Sequence, residues 1–170
     1  ADTPHGTQTR TVTDQMYSYP TFLAKMYGVN TVNMGRSGFS SKDWYNTYYN
    51  EDLSGYDCAI IALGTNDPNI SENPQTAIEE SYIYLNNIID KLRTDNPFIP
   101  MFMCTTLPNW IINTAGEGVR ANIIQICNEV DNVYLIDLYE YSKCIIDTPY
   151  RANHPTDIGY LQMAREIGGA

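Results

Sequence analysis

Residues Asp57 to Leu63 read Asp-Cys-Ala-Ile-Ile-Ala-Leu, and this short apolar run constrains the fold more than any other stretch. It suits a strand covered on both faces, as in parallel sheets packed between helices. It is far too short for a membrane span or the core of a signal peptide. Val29–Met34, Phe98–Thr105 and Val133–Asp137 read as further strands. Helical patterns lie around them. Ser18 is placed to cap a helix with Pro20 in its first turn, running through Phe22, Leu23 and Met26 to a stop at Gly28. Asn73-Pro74 opens the longest helix, where Ala77, Ile78, Ile83, Leu85, Ile88, Ile89 and Leu92 form one stripe that ends at Asn96-Pro97. Val119–Val130 and Pro155–Ile167 read as two more helices, the last with Pro155 in its first turn and Gly168-Gly169 as its stop.

Strands and helices alternating at this spacing predict βαβ units, hence an α/β fold with a mostly parallel sheet between two helical layers. The 170 residues contain no repeat, linker or low-complexity tract, so a single domain over 1–170 is expected. Ten Lys and Arg against twenty Asp and Glu give a net charge of -10. With no basic cluster to displace counterions, nucleic acid is not expected as a partner, and neither is an anionic membrane. The chain as given reads as soluble, and its compartment and oligomeric state are open. Cys58, Cys104, Cys127 and Cys144 lack the short paired spacings of zinc and redox sites. They read as buried free thiols, with a disulfide pair left open. With His5 and His154 as the only histidines, no metal centre and no cofactor are expected.

In such sheets, function gathers in the loops leaving the carboxyl ends of the strands. Three loops hold the unusual residues. Gly35-Arg36-Ser37-Gly38-Phe39-Ser40-Ser41 is a Gly-rich turn entering a helix capped by Ser40 or Ser41, and it lacks the endings of phosphate-binding and dinucleotide loops. A flavodoxin-like nucleotide binder is therefore a weak reading. Gly64-Thr65-Asn66-Asp67 follows the apolar run; an Asn there can donate its amide N–H to a developing oxyanion, while Asp67 can fix the loop through backbone N–H groups. His154, beside Pro155, has the near-neutral imidazole a general base needs.

Together these loops resemble the SGNH hydrolases, the GDSL-type esterases and lipases. Asn33-Met34-Gly35-Arg36-Ser37-Gly38 resembles the family's second block, Tyr56 through Asp67 its third, and His154-Pro155 with Gly159-Tyr160 its fifth. Tyr19-Pro20 and Leu23-Ala24 sit where its first helix begins. The resemblance implies a flavodoxin-like sheet of order 2-1-3-4-5. It also implies an oxyanion hole from the Gly38 N–H and the Asn66 side chain, with His154 as base. The implied reaction is hydrolysis of an acyl ester on a small molecule or carbohydrate.

Two departures qualify this. The family's Gly-Asp-Ser with the nucleophilic Ser is absent, and Ala1-Asp2-Thr3-Pro4-His5-Gly6 resembles the stretch after it, with Thr3 as a weak alternative. The acid three residues before the His is replaced by Arg151, leaving Asp147 or a backbone carbonyl to orient the imidazole. The family's first strand lies centrally in the sheet, and a sheet without it would have two unpaired edges. Residues before Ala1 are therefore expected to supply that strand and the Ser. The alternative is a non-catalytic carbohydrate-binding or structural module, with Trp44, Tyr45, Tyr48 and Tyr49 as an aromatic platform or as plain helix packing. Pro108-Asn109-Trp110-Ile111-Ile112 are candidates for lining an acyl or sugar pocket.

Overall fold

The computed structural model describes residues 18–107, 113–143, 150–151, 154–155 and 157–169. The chain divides into two compact units, Gly38–Tyr139 and a second made of Ala1–Ser37 with Glu140–Ala170.

The larger unit is built on a parallel sheet. Its elements run α2 (Ser41–Tyr48), β1 (Ala59–Ile61), a 3-10 turn (Asp67–Asn69), α3 (Pro74–Asp95), β2 (Met101–Cys104), α4 (Thr114–Glu129) and β3 (Val133–Ile136). The strands lie in the order β1-β2-β3, all parallel, with Ile60 opposite Phe102 and Phe102 opposite Tyr134. This is the α/β architecture expected, and the three strands follow the sequential 3-4-5 part of the predicted order. Asn73 begins α3 as predicted, its side chain accepting the N–H groups of Gln75 and Thr76. The α3 stripe buries Ala77, Leu85, Ile88, Ile89 and Leu92 against a core that also holds Met101, Met103, Val119, Ile123, Ile126 and Ile136. Ile83 departs from the stripe and is 52% exposed.

Several boundaries are narrower than the sequence suggested, and prolines explain one of them. The strand expected from Phe98 begins at Met101, because Pro97 and Pro100 have no N–H to give a ladder. Phe98 is instead 88% exposed, in a turn where the Ile99 N–H reaches the Asn96 carbonyl at 3.2 Å. The strand expected over Asp57–Leu63 is confined to Ala59–Ile61, where β2 offers partners. Asp57, Cys58 and Ala62 are exposed, so the run is not covered on both faces and Cys58 is not the buried thiol expected of it. Cys104 is buried and Cys127 half-buried, both free, with burial pushing their thiols up to about 12 and about 11. Cys144 lies outside the described residues. The α4 helix starts five residues before the expected Val119, because Asn113 caps it by accepting the Gly116 N–H at 2.7 Å.

The second unit contains α1 (Tyr19–Tyr27), a two-residue antiparallel ladder of β4 (Tyr150–Arg151) and β5 (His154–Pro155), and α6 (Asp157–Gly169). α1 packs on α6 through a core that includes Tyr19, Leu23, Tyr160, Met163, Ala164 and Ile167. Two expectations are corrected here. Val29–Met34 forms no strand: no described strand pairs with it, and Val32 is 63% exposed. Pro155 is not in the first turn of the last helix. Its residue pairs with Tyr150 across the ladder, and the helix begins at Asp157. A short helix not foreseen, α5 (Leu138–Lys143), follows β3 directly. Among the described residues no helix is long and apolar enough to cross a membrane.

Candidate active site

The first loop turns on Gly38, whose φ of +76 lies where side-chain-bearing residues are strained. A Cβ there would meet nothing within 4 Å, so backbone conformation rather than space favours glycine. The turn delivers Ser40 to the start of α2, where it forms a reciprocal cap with Asp43. The Asp43 N–H donates to the Ser40 Oγ at 3.2 Å, and the Ser40 N–H and hydroxyl donate to the Asp43 carboxylate at 3.0 and 2.6 Å. Those donors, the hydroxyl foremost, hold the Asp43 carboxyl below its ordinary value. Of the two serines considered for the cap, Ser40 performs it and Ser41 is engaged elsewhere.

The second loop leaves β1 through Gly64, at φ +110, where a Cβ would sit 3.1 Å from Val119 Cγ1 and 3.3 Å from Ile123 Cδ1. The backbone conformation therefore favours glycine, and an added Cβ would also press the Val119 and Ile123 side chains to shift by a few tenths of an ångström. Asn66 then opens the 3-10 turn, its carbonyl accepting the Asn69 N–H at 3.0 Å. Asp67 is fully buried at 0% exposure. One carboxylate oxygen accepts the Ser41 N–H at 2.8 Å, and the other accepts the hydroxyls of Ser41 at 2.6 Å and Ser81 at 2.8 Å. A buried carboxylate is tolerated only with such partners. The Asn66 Nδ2 donates to the Phe39 carbonyl at 3.1 Å. Asn66 and Asp67 thus grip residues 39 and 41, and Gly38 adjoins the gripped segment. A second N–H on the Asn66 amide remains for another acceptor.

At the carboxyl ends of β2 and β3 a separate knot forms. Thr105 Oγ1 donates to Asp137 at 2.8 Å and accepts the Tyr139 N–H at 2.9 Å. Arg120 reaches the same carboxylate at 3.5 Å, with its guanidinium 4.1 Å over the Tyr139 ring. Nearer the second loop, an open cleft of about 400 Å³ lies between the 3-10 turn and the first residues of α3 and α4.

The structure therefore brings Gly38 and Asn66 together in the larger unit, through the Asn66–Phe39 hydrogen bond. His154 is positioned by the other unit, on β5, where Arg151 is its cross-strand neighbour in the ladder. Ala1 through Gly6, Pro108 through Ile112 and Asp147 lie outside the described residues. The aromatic platform is not formed as a whole, because Trp44 is buried and leans on Tyr48 at 5.1 Å between ring centroids. Sequence reasoning missed Ser41 and Ser81 as the partners of Asp67. The signal was present in α3, where Ser81 interrupts the buried stripe midway between Ala77 and Leu85. A hydroxyl on such a face requires a buried partner.

Comparison with known proteins bears on the fold and the family. The family model for the GDSL-like Lipase/Acylhydrolase family matches residues 5–161. A G-D-S-L family protein from Desulfitobacterium hafniense DCB-2 has a similar structure, with a TM-score of 0.69 at 18% identity over 91% of this chain and 88% of that one. A carbohydrate esterase family 3 structure from Talaromyces cellulolyticus gives a TM-score of 0.61 at 18% identity, over 89% of this chain and 87% of that one. The structure of an acetyl esterase mutant with acetate ion gives 0.63 at 18% identity, over 89% and 88%. No curated protein matches. The structural likenesses show a shared fold. With the family model spanning 5–161 of the 170 residues, the chain belongs to the GDSL-like lipase/acylhydrolase family of ester hydrolases.

Proposed function

We propose that this protein hydrolyses acyl esters by a Ser-His mechanism in which Gly38, Asn66 and His154 serve the reacting groups. A serine hydroxyl attacks the ester carbonyl while His154 takes its proton. The Gly38 backbone N–H and the second Asn66 amide N–H stabilise the oxyanion of the tetrahedral intermediate, beside the nucleophile's own N–H. His154 then protonates the departing alcohol and activates water for deacylation. The observation that carries this reading is the hydrogen bond from Asn66 to Phe39, backed by Asp67 on Ser41. Donors fixed before the reaction lose little in reorganising when charge develops, which is where most of their catalytic value lies.

The test is p-nitrophenyl acetate hydrolysis by the full natural protein and by its Asn66→Ala and His154→Ala variants. Asn66→Ala should lower kcat by roughly 10²- to 10³-fold, the usual effect of removing one oxyanion donor. His154→Ala should lower it at least as far. Equal rates in all three proteins would sink the mechanism. A second reading, a fold retained for binding without catalysis, is favoured by Arg151 standing opposite His154 in the ladder where the family pattern has an acid. A fluorophosphonate probe separates the two, since a binding module leaves it unreacted. In a hydrolase the modified peptide identifies the nucleophile.

A further inference from the structure

Ser81 stands in the middle of α3, on the stripe between Ala77 and Leu85, and all three residues are fully buried. A hydroxyl on the core face of a helix can return its single proton to the carbonyl one turn back. Here the proton crosses to another element instead: Ser81 Oγ donates to Asp67 Oδ2 at 2.8 Å. The same oxygen takes the Ser41 hydroxyl at 2.6 Å, and Asp67 Oδ1 takes the Ser41 N–H at 2.8 Å. Ser41 and Asp67 are fully buried as well. A buried polar network satisfied in this way is rigid.

The knot joins three elements. Ser41 is the first residue of α2, Asp67 the first of the 3-10 turn, and Ser81 lies 14 residues further on in α3. Of these, α3 is the one held independently, with 22 residues, a cap at Asn73 and a stripe packed into the core. α2 has eight residues and the 3-10 turn three, too short to keep a position without tertiary support. Ser81 is therefore the point at which both loops are tied to the core. A second tie, Lys42 to Glu80 at 2.7 Å, runs beside it between the same helices, but on a half-exposed surface where an ion pair is worth little.

From Ser81 a chain of bonds reaches the proposed oxyanion hole. Asp67 fixes Ser41, two residues beyond Phe39, and the Phe39 carbonyl takes one N–H of the Asn66 amide at 3.1 Å. The amide is planar, so that bond also restricts the direction of its second N–H. Without the Ser81 hydroxyl, Asp67 Oδ2 loses one of its two hydroxyl partners while still buried, a deficit relieved by turning or by admitting water. Either response loosens Ser41 and, through Phe39, the Asn66 amide. Resting on the ester-hydrolase reading above, we infer that Ser81 is a positioning residue for the reaction: from α3 it holds Asp67, and through Ser41 and Phe39 it fixes the direction in which Asn66 presents its N–H to the oxyanion.

The test measures p-nitrophenyl acetate hydrolysis by the full natural protein, by its Ser81→Ala, Ser81→Cys, Glu80→Gln and Asn66→Ala variants, and by the double variant at Asn66 and Ser81. Urea unfolding is followed alongside, so that rates refer to folded protein. A displacement of about 1 Å away from the chemistry costs an enzyme roughly 10²-fold. Loosening short of that should lower kcat about ten-fold in Ser81→Ala and leave KM within about two-fold, because the oxyanion contact forms only in the transition state. Ser81→Cys keeps a weaker donor and should fall between that variant and the parent. Glu80→Gln cuts the surface tie alone and should keep the parent's kcat. In the Asn66→Ala background, adding Ser81→Ala should change kcat by less than about two-fold, since the group it positions is gone. An unchanged kcat in Ser81→Ala, or a loss that persists in full without the Asn66 amide, overturns the assignment and leaves Ser81 a stabilising residue only. Should Ser81→Ala not fold, Ser81→Cys carries the same comparisons. If Asn66→Ala hydrolyses the ester as fast as the parent, or no ester is hydrolysed, the oxyanion reading falls by itself. The Asn66 side-chain amide resonances of isotope-labelled protein then decide: displaced or broadened signals in Ser81→Ala support the positioning, and unmoved signals overturn it.

Discussion

Asp67 carries a carboxylate where water does not reach, and it is tolerable there because three donors converge on it from Ser41 and Ser81. Its neighbour Asn66 holds Phe39, so the two residues act as adjacent clasps on the segment after Gly38. Replacing Asp67 with Asn keeps the shape but exchanges one acceptor oxygen for an NH2 group facing hydroxyls. Hydrogen bonds to a buried charge are worth about 1.5–3 kcal/mol, so Asp67→Asn should lower unfolding stability by about 2 kcal/mol in urea titrations. If Asp67 also sets the oxyanion donors, the variant loses kcat on p-nitrophenyl acetate more than it raises KM, at a temperature where it remains folded. A stability loss with kcat untouched would leave Asp67 as a clasp with no bearing on catalysis. From the sequence, Asn66 reads as a candidate oxyanion donor and Asp67 as a residue able to fix the loop through backbone N–H groups. The structure bears out the fixing role for Asp67, which is fully buried on Ser41 and Ser81, while the half-buried Asn66 also holds the segment through Phe39.

At the scale of elements, local chemistry was the most legible part of the sequence. Caps and prolines act over three or four residues, so Asn73-Pro74 and Asn96-Pro97 bounded α3 correctly and Gly28 ended α1. The expectation that failed most clearly, a strand at Val29–Met34, depended on a distant partner. β-branched residues favour a pleated surface, but a strand exists only where another offers its ladder, and no described strand pairs with that segment. The same dependence cut the Asp57–Leu63 run to Ala59–Ile61. In the candidate site, motif order nominated Gly38, Asn66 and His154, whereas the Ser41 and Ser81 hydroxyls that hold Asp67 were not legible, because 26 and 14 residues separate them from it. The α3 cap gives a direct check. Asn73 satisfies two N–H groups that the helix leaves unpaired, so Asn73→Ala should cost about 1 kcal/mol, and Asn73→Asp should recover most of it. Thermal melts of the two variants, followed by helix ellipticity, measure this. Equal melting of Asn73→Ala and the parent would show that tertiary packing alone sets the start of α3.

At the scale of the whole molecule, the net charge of -10 and a handful of locally bonded carboxylates pull stability in opposite directions as pH falls. Acidification from pH 8 removes negative charge and eases self-repulsion, which favours the compact state. Asp43, Asp52 and Asp95 act the other way. The Ser40 hydroxyl holds Asp43 low, Ser54 holds Asp52 low, and Lys91 with the Leu53 N–H holds Asp95 low, all below the ordinary 3.8. A carboxyl whose folded pKa is depressed binds its proton less readily when folded, so its contribution is complete above 3.8 and is lost as pH falls through the lower folded value. Tm should therefore rise gently between pH 8 and about 5, where charge repulsion shrinks, and fall steeply below 3.8. Added salt should flatten the upper limb by screening, and leave more of the acid limb, because the latter depends on direct hydrogen bonds. Asp43→Asn should make the acid limb shallower while leaving the upper limb almost in place. A Tm that declines steadily from pH 8, or an acid limb indifferent to Asp43→Asn, would mean that other titrating groups govern how this acidic chain holds its fold.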